Sequence, residues 1–275
     1  MRRFPPEFAD LLSARGRRIL KGTDPLCGSL GEGNPRFVGH SGIIEGRWSR
    51  DCRKLLEKTL GPILTRMEDP IPAGALSSMT ENYAELLPKT VRASTALFGS
   101  RRSRAWLAAE RNGLVEMLRS ESFRAFASRL VGRPLRRGWG IQVLRYGPGD
   151  YAGPHNDHHP EDAEARDGYL DVHFSFCSDG VAHQWLVYER GGHLSDITSV
   201  ATRGGLTAYR LPFWHYTTPL VARRGRERDA YRWVLLGTFL FSTERALATG
   251  APVRVRKTPP RRRPPAAPIP RATRR

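Results

Sequence analysis

Cysteine is scarce in this chain. Its 275 residues hold three, Cys27, Cys52 and Cys177, an odd number without a pairing spacing. A reducing, cytoplasmic setting is therefore expected in preference to a secreted disulfide framework. No run of eighteen apolar residues occurs, so a membrane-spanning helix is excluded. The opening Met1-Arg2-Arg3-Phe4-Pro5-Pro6 is basic but lacks the apolar stretch of a secretory signal, and Glu7 and Asp10 argue against a transit peptide. Gly191-Gly192 and Gly204-Gly205 mark tight turns; neither opens a helix, so neither is a phosphate-binding loop. A Ser/His/Asp or paired-acid motif is also missing. Acidic residues are absent from 251–275, which carry nine Lys or Arg and seven of the twenty-one prolines. The net charge of +18 is therefore half tail: the remainder, 36 basic against 27 acidic residues, carries +9.

What is present is His155-Asn156-Asp157 and, 58 residues beyond the Asp, His215 in Phe213-Trp214-His215-Tyr216-Thr217. Two histidines and one carboxylate are the ligand set of a facial-triad non-heme iron site. On an extended strand, side chains at i and i+2 share a face roughly 6.5–7 Å apart, so an imidazole and a carboxylate lean onto one metal. The third ligand then comes from a distant strand, leaving open positions on the metal. Alone, a His-x-Asp triplet is more often a chance occurrence in a loop than a metal pair; its surroundings decide.

Those surroundings are Gln142-Val143-Leu144-Arg145-Tyr146-Gly147-Pro148-Gly149-Asp150-Tyr151 before the triplet, Thr217-Thr218-Pro219-Leu220 after the distal His, and then Tyr231-Arg232-Trp233-Val234-Leu235-Leu236. Over about residues 140–242 the order of these elements resembles the Fe(II)/2-oxoglutarate-dependent dioxygenases, in particular their prolyl-4-hydroxylase-like branch. The resemblance implies metal ligands His155, Asp157 and His215, and a cosubstrate pocket faced by Tyr146. It also implies a basic residue that pairs with the far carboxylate of 2-oxoglutarate, for which Arg232 is the match. The cofactors implied are Fe(II), 2-oxoglutarate and O₂, and the reaction is hydroxylation of a C–H bond with release of succinate and CO₂. Arg232 lies seventeen residues after His215 where many relatives have about ten. The intervening turn offers Arg223, Arg224, Arg226 and Arg228 as rivals; Arg232 is preferred because it opens a six-residue apolar run that reads as a buried strand. A guanidinium fixed on a strand can grip a carboxylate with two parallel hydrogen bonds.

Organisation follows from texture. Residues 1–45 are Gly- and Pro-rich, irregular but for one short helix around Glu7–Leu20. Residues 46–138 form a helical support region, with amphipathic stripes from about Trp48 to Met67, from Leu107 to Leu118, and over Phe123, Phe126 and Leu130. From 139 to 245 short β-rich runs take over, at Gly140–Tyr146, Tyr169–Phe176, His183–Tyr188, Gly205–Arg210 and Arg232–Phe241. The fold class is α+β, a double-stranded β-helix (jelly-roll) barrel buttressed by N-terminal helices. Residues 246–275 form a disordered basic tail able to touch a polyanion.

Several other residues need a reading. His158 and His159 follow the triplet at the expected pocket mouth and, with Trp185, are candidates for substrate contact; loop and aromatic core are the plainer readings. His173 and His183 are read as core or pocket residues rather than ligands. Trp214 should point away from the metal by alternation. The acceptor is a protein side chain or a small molecule. Nucleic-acid demethylation is disfavoured, because Leu144 and Thr238 stand where that branch carries Asn and Arg. The remaining alternatives are a non-catalytic barrel docking through its tail and a cupin-like metal protein.

Overall fold

The computed structural model describes residues 2–69, 90–98, 100–156 and 168–242. The basic tail, Asp157, His158 and His159 lie outside the described residues, as do the structural expectations attached to them.

Among the described residues, serine caps three of the five α-helices of the N-terminal layer. Ser13, Ser103 and Ser120 accept hydrogen bonds from the backbone N–H groups of Gly16, Trp106 and Phe123, satisfying donors that a helix start leaves orphaned. The helices are α1 (Ala14–Lys21), α2 (Gly46–Thr59), α3 (Arg104–Arg111), α4 (Leu114–Leu118) and α5 (Glu121–Val131). The stripe from Leu107 to Leu118 is therefore two helices. Gly113, at φ +80°, breaks the run, because this left-handed conformation is strained for a residue with a Cβ.

The strands are β1 (Phe37–His40), β2 (Thr65–Asp69), β3 (Val91–Ala96), β4 (Gly140–Tyr146), β5 (Tyr151–His155), β6 (Tyr169–Cys177), β7 (Val181–His183), β8 (Trp185–Arg190), β9 (His193–Ser199), β10 (Arg203–Arg210), β11 (His215–Thr217), β12 (Val221–Ala222) and β13 (Arg232–Leu240). One antiparallel sheet runs β1-β10-β6-β13-β4-β3-β5-β11-β8-β9, with β2 on β3, while β7 and β12 pair separately. The expected helical region thus also contributes β2 and β3. The stripe from Trp48 to Met67 ends as helix at Thr59, and its last residues turn into strand β2.

The sheet curls over on itself into a jelly-roll barrel: the ring of His215 on β11 lies 4.5 Å from that of Tyr209 on β10, although many strands separate them along the sheet. Alternation sorts each strand onto two faces. Leu170, Val172, Phe174 and Phe176 of β6, with Trp233, Leu235 and Phe239 of β13, face outward into the main core. There α5 covers them, with Phe123 5.3 Å from Phe239 and Phe126 5.8 Å from Phe174. Each fully buried phenylalanine contributes about 1.5–3 kcal/mol by leaving water, and each ring pair about 0.5–1.5 kcal/mol more. Gly237 lets the helix come this close, since a Cβ there would stand 2.7 Å from Phe123 Cε1.

From α2, Glu57 holds the sheet from outside. It accepts from Trp233 Nε1 at 2.8 Å and from Arg145 Nε and Nη2 at 3.1 Å each. Trp233 and Arg145 are cross-strand partners on β13 and β4. No helix among the described residues is long and apolar enough to cross a membrane.

Candidate metal and anion site

The inward faces enclose a cavity of about 350 Å³ whose wall includes His155, His215, Tyr146 and Arg232. Both histidines are almost fully buried, at 6% and 3% exposure, and are cross-strand partners on β5 and β11, with ring centroids 4.3 Å apart. Each is oriented in the same manner. Nδ1 of His155 donates to the carbonyl of Gly153 at 2.6 Å, and Nδ1 of His215 donates to that of Phe213 at 2.9 Å. A carbonyl can only accept, so these bonds place a proton on Nδ1, and the ring in its neutral form then carries its lone pair on Nε2. Two imidazoles held as Nε2 donors by backbone carbonyls are a usual metal-ligand arrangement. Among the described residues no three His, Cys, Asp or Glu side chains group as a complete ligand set; the expected third ligand, Asp157, follows immediately after the last described residue of that segment.

Tyr146 and Arg232 come together as well. They are direct cross-strand partners on β4 and β13, with the guanidinium carbon 4.7 Å from the centre of the tyrosine ring. Arg232 is 4% exposed, and burial pushes its guanidinium below its ordinary value, with Tyr146 and Cys177 opposing. Its Nη1 reaches the carbonyl of Val200 at 3.4 Å, and its Nε is buried without a hydrogen-bond partner. Among the described residues no carboxylate forms an ion pair with it. Arg223, Arg224, Arg226 and Arg228 are exposed, and none of them lines the cavity.

Trp185 is 37% exposed and lies outside the cavity wall, because its neighbour Leu186 takes the inward position on β8. Its ring stands 6.1 Å from that of His183. Trp214 lines a separate mouth cavity of about 830 Å³ with Asn156, Phe37, Tyr188 and Phe213. His173, expected from the sequence as a core or pocket residue, and Ser175, Thr207 and Tyr209, which the sequence did not single out, are all in the wall of the inner cavity. The signal for the first two is the polar run at alternate positions of β6, Asp171, His173 and Ser175, inside an otherwise apolar strand.

No protein-family model and no curated protein matches the chain. Solved structures do. An oxidoreductase of the 2OG-Fe(II) oxygenase family from Burkholderia pseudomallei is 12% identical with a TM-score of 0.47, over 87% of this chain and 93% of its own. The non-heme alpha ketoglutarate dependent epimerase SnoN from nogalamycin biosynthesis is 14% identical with a TM-score of 0.49, over 88% and 93%. A Pseudomonas putida prolyl-4-hydroxylase is 12% identical with a TM-score of 0.43, over 83% and 98%. In its overall fold the chain is similar to 2OG-Fe(II) oxygenases, a prolyl-4-hydroxylase among them.

Proposed function

We infer that this chain is an Fe(II)/2-oxoglutarate-dependent oxygenase acting on a C–H bond of a protein side chain or small molecule. The observation that carries the reading is Arg232, a buried cation without a counter-ion among the described residues, in the same cavity as two histidines oriented through Nδ1 by backbone carbonyls. An unpaired buried charge is costly, and a site that keeps one is complementary to an anion.

The residues fit the implied groups. His155 and His215, with Asp157 as the proposed third ligand, would hold Fe(II), two neutral nitrogen donors and one carboxylate being the set for this metal. Arg232 would take the far carboxylate of 2-oxoglutarate with the fork of its guanidinium, and Tyr146 holds that guanidinium from one side. When bound, iron supplies the oxidative chemistry of decarboxylating the cosubstrate and activating O₂. The protein's part is placement and exclusion of water: Leu144, Leu186, Val200, Val234 and Leu236 make an apolar wall around the polar groups. No general base is required of the chain.

The test is an anaerobic visible spectrum of the full chain with Fe(II) and 2-oxoglutarate. A weak charge-transfer band that needs both additions and is lost in His155→Ala and in Asp157→Ala is the expected result. Iron uptake without the band would leave a cupin-like metal protein, and no iron uptake would leave a binding barrel.

A further inference from the structure

The barrel interior carries a charge of opposite sign at its far end. The inward positions of β6 run Asp171, His173, Ser175 and Cys177, and Thr238, Leu236, Val234 and Arg232 of β13 face them pair by pair. Arg232 and Asp171 are thus separated by six residues of paired strand, roughly 20 Å at ~3.4 Å per residue. Asp171 is 3% exposed. Its Oδ1 is buried without a hydrogen-bond partner, and its Oδ2 lies 3.9 Å from His173 Nε2. That nitrogen is 3.1 Å from the hydroxyl of Tyr209, which is the cross-strand neighbour of Asp171 on β10 and packs on His215. The inner cavity reaches His173 and Tyr209, the neighbours of Asp171. A second cavity of about 350 Å³ shares Gln142 and Leu236 with the first, and its wall includes Thr238, the other cross-strand neighbour of Asp171.

Leaving a carboxylate oxygen dry and unpaired is destabilising by more than the 1–3 kcal/mol typical of a neutral group. A purely structural Asp–His pair would remove that cost with a bond near 2.8 Å. At 3.9 Å the two are beyond hydrogen-bonding distance, and Oδ1 is unused in any case. We propose that Asp171 recognises the acceptor substrate, and that this substrate carries a cationic N–H donor, a primary ammonium or a guanidinium. His173 and Tyr209 are the polar groups between that cation and the histidine pair. Resting on the oxygenase reading, the interior then has two poles, with the anionic cosubstrate at Arg232, the cationic acceptor at Asp171, and His155 and His215 between them. An anionic acceptor, or a neutral one without an N–H or O–H donor, would leave Asp171 as costly in the complex as in the free protein, and only a cation also offsets its charge.

The test is calorimetric titration of the full chain, free of metal and cosubstrate. The probes are Nα-acetyl-lysine amide, Nα-acetyl-arginine amide, acetyl-Gly-Lys-Gly-amide and acetyl-Gly-Arg-Gly-amide, with Nα-acetyl-norleucine amide and Nα-acetyl-glutamate amide, which carry no ammonium, as controls. At least one cationic probe is expected to bind at least tenfold more tightly than the norleucine control, and preference for the single-residue probes or for the peptides identifies the source of the cation. Asp171→Asn keeps the shape, and it should weaken that binding at least tenfold. Thr238→Lys sets an ammonium beside Asp171 and should have the same effect should the first variant fold poorly. A parallel titration with 2-oxoglutarate and Mn(II) should be unchanged in Asp171→Asn. Equal affinity for the lysine, arginine and norleucine probes, no binding of any cationic probe, or full binding by the folded variants would overturn the proposal. Cation binding without any 2-oxoglutarate binding by the wild type would instead sink the oxygenase reading.

Discussion

Arg232→Met should make the ligand-free protein more stable while removing its response to 2-oxoglutarate, so that stability and binding move in opposite directions. The substitution keeps the apolar stem and deletes the guanidinium. In the wild type that group is 4% exposed, lacks a carboxylate partner among the described residues and leaves its Nε unpaired. The effective cost of burying such an ion is several kcal/mol. Against it stand about 2 kcal/mol from the face of Tyr146 in a dry setting, and about 0.5–1 kcal/mol from the long bond to Val200. About 1–3 kcal/mol is left uncompensated until an anion arrives. For a domain of this size that corresponds to a Tm higher by roughly 2–10 °C in the methionine variant. With Mn(II) present and 2-oxoglutarate at about a hundred times its Kd, the wild type should gain about 2.7 kcal/mol and the variant nothing. Scanning fluorimetry of both proteins, with and without the two additions, measures all four states. A ligand-free variant melting several degrees below the wild type would show the guanidinium to be a strut, and an equal gain in both proteins would show that the anion binds elsewhere; either result refutes the reasoning.

Other expectations follow from the packing. Asp150, 4% exposed, takes two parallel bonds from Arg66 at 2.7 and 2.8 Å and one from the N–H of Gly147. Because Arg66 is 42% exposed, Asp150→Ala should cost about 2–3 kcal/mol, less than breaking a fully dry pair, as read from the urea midpoint; a loss under 0.5 kcal/mol would contradict this. Gly237→Ala forces its new Cβ onto Phe123 and should lose about 1–3 kcal/mol by overpacking, whereas an unchanged midpoint would mean that α5 yields freely. Burial pushes the Cys177 thiol up to about 12 and the Cys52 thiol upward too, so both stay protonated at pH 8. Iodoacetamide should therefore label half-buried Cys27 alone in the native protein and all three cysteines in denaturant, by mass spectrometry. Labelling of native Cys177 at the rate of Cys27 would contradict its burial.

The strands with a strong alternating or apolar texture were legible in the sequence. Gly140–Tyr146 is read with the boundaries that β4 has, and the runs at Tyr169, Gly205 and Arg232 differ from β6, β10 and β13 by a residue or two at an end. Strands β1, β2, β3 and β9 were not legible. They are short or polar, and β9 is almost wholly exposed, so its sheet membership comes from pairing with β8 and leaves no hydrophobic signature. At the site, Arg232 stood out from the exposed arginines of the preceding turn because it opens a buried run, and its pairing with Tyr146 is a matter of register that sequence spacing cannot state. Asp171 and Tyr209 were harder to see. Asp171 stands between apolar neighbours, Tyr209 beside one, and only closure of the barrel brings β6 and β10 beneath His215.

The clamp that Glu57 makes on Trp233 and Arg145 lies directly behind the pair formed by Arg232 and Tyr146, on the opposite face of the same two strands. A strand passes displacement from one face to the other with no intervening parts. The spacing of the guanidinium and the phenol inside the barrel is therefore set partly by a helix that never enters it. Variation along α2, far from any ligand, is thereby a means of tuning anion affinity without altering a single residue of the cavity wall.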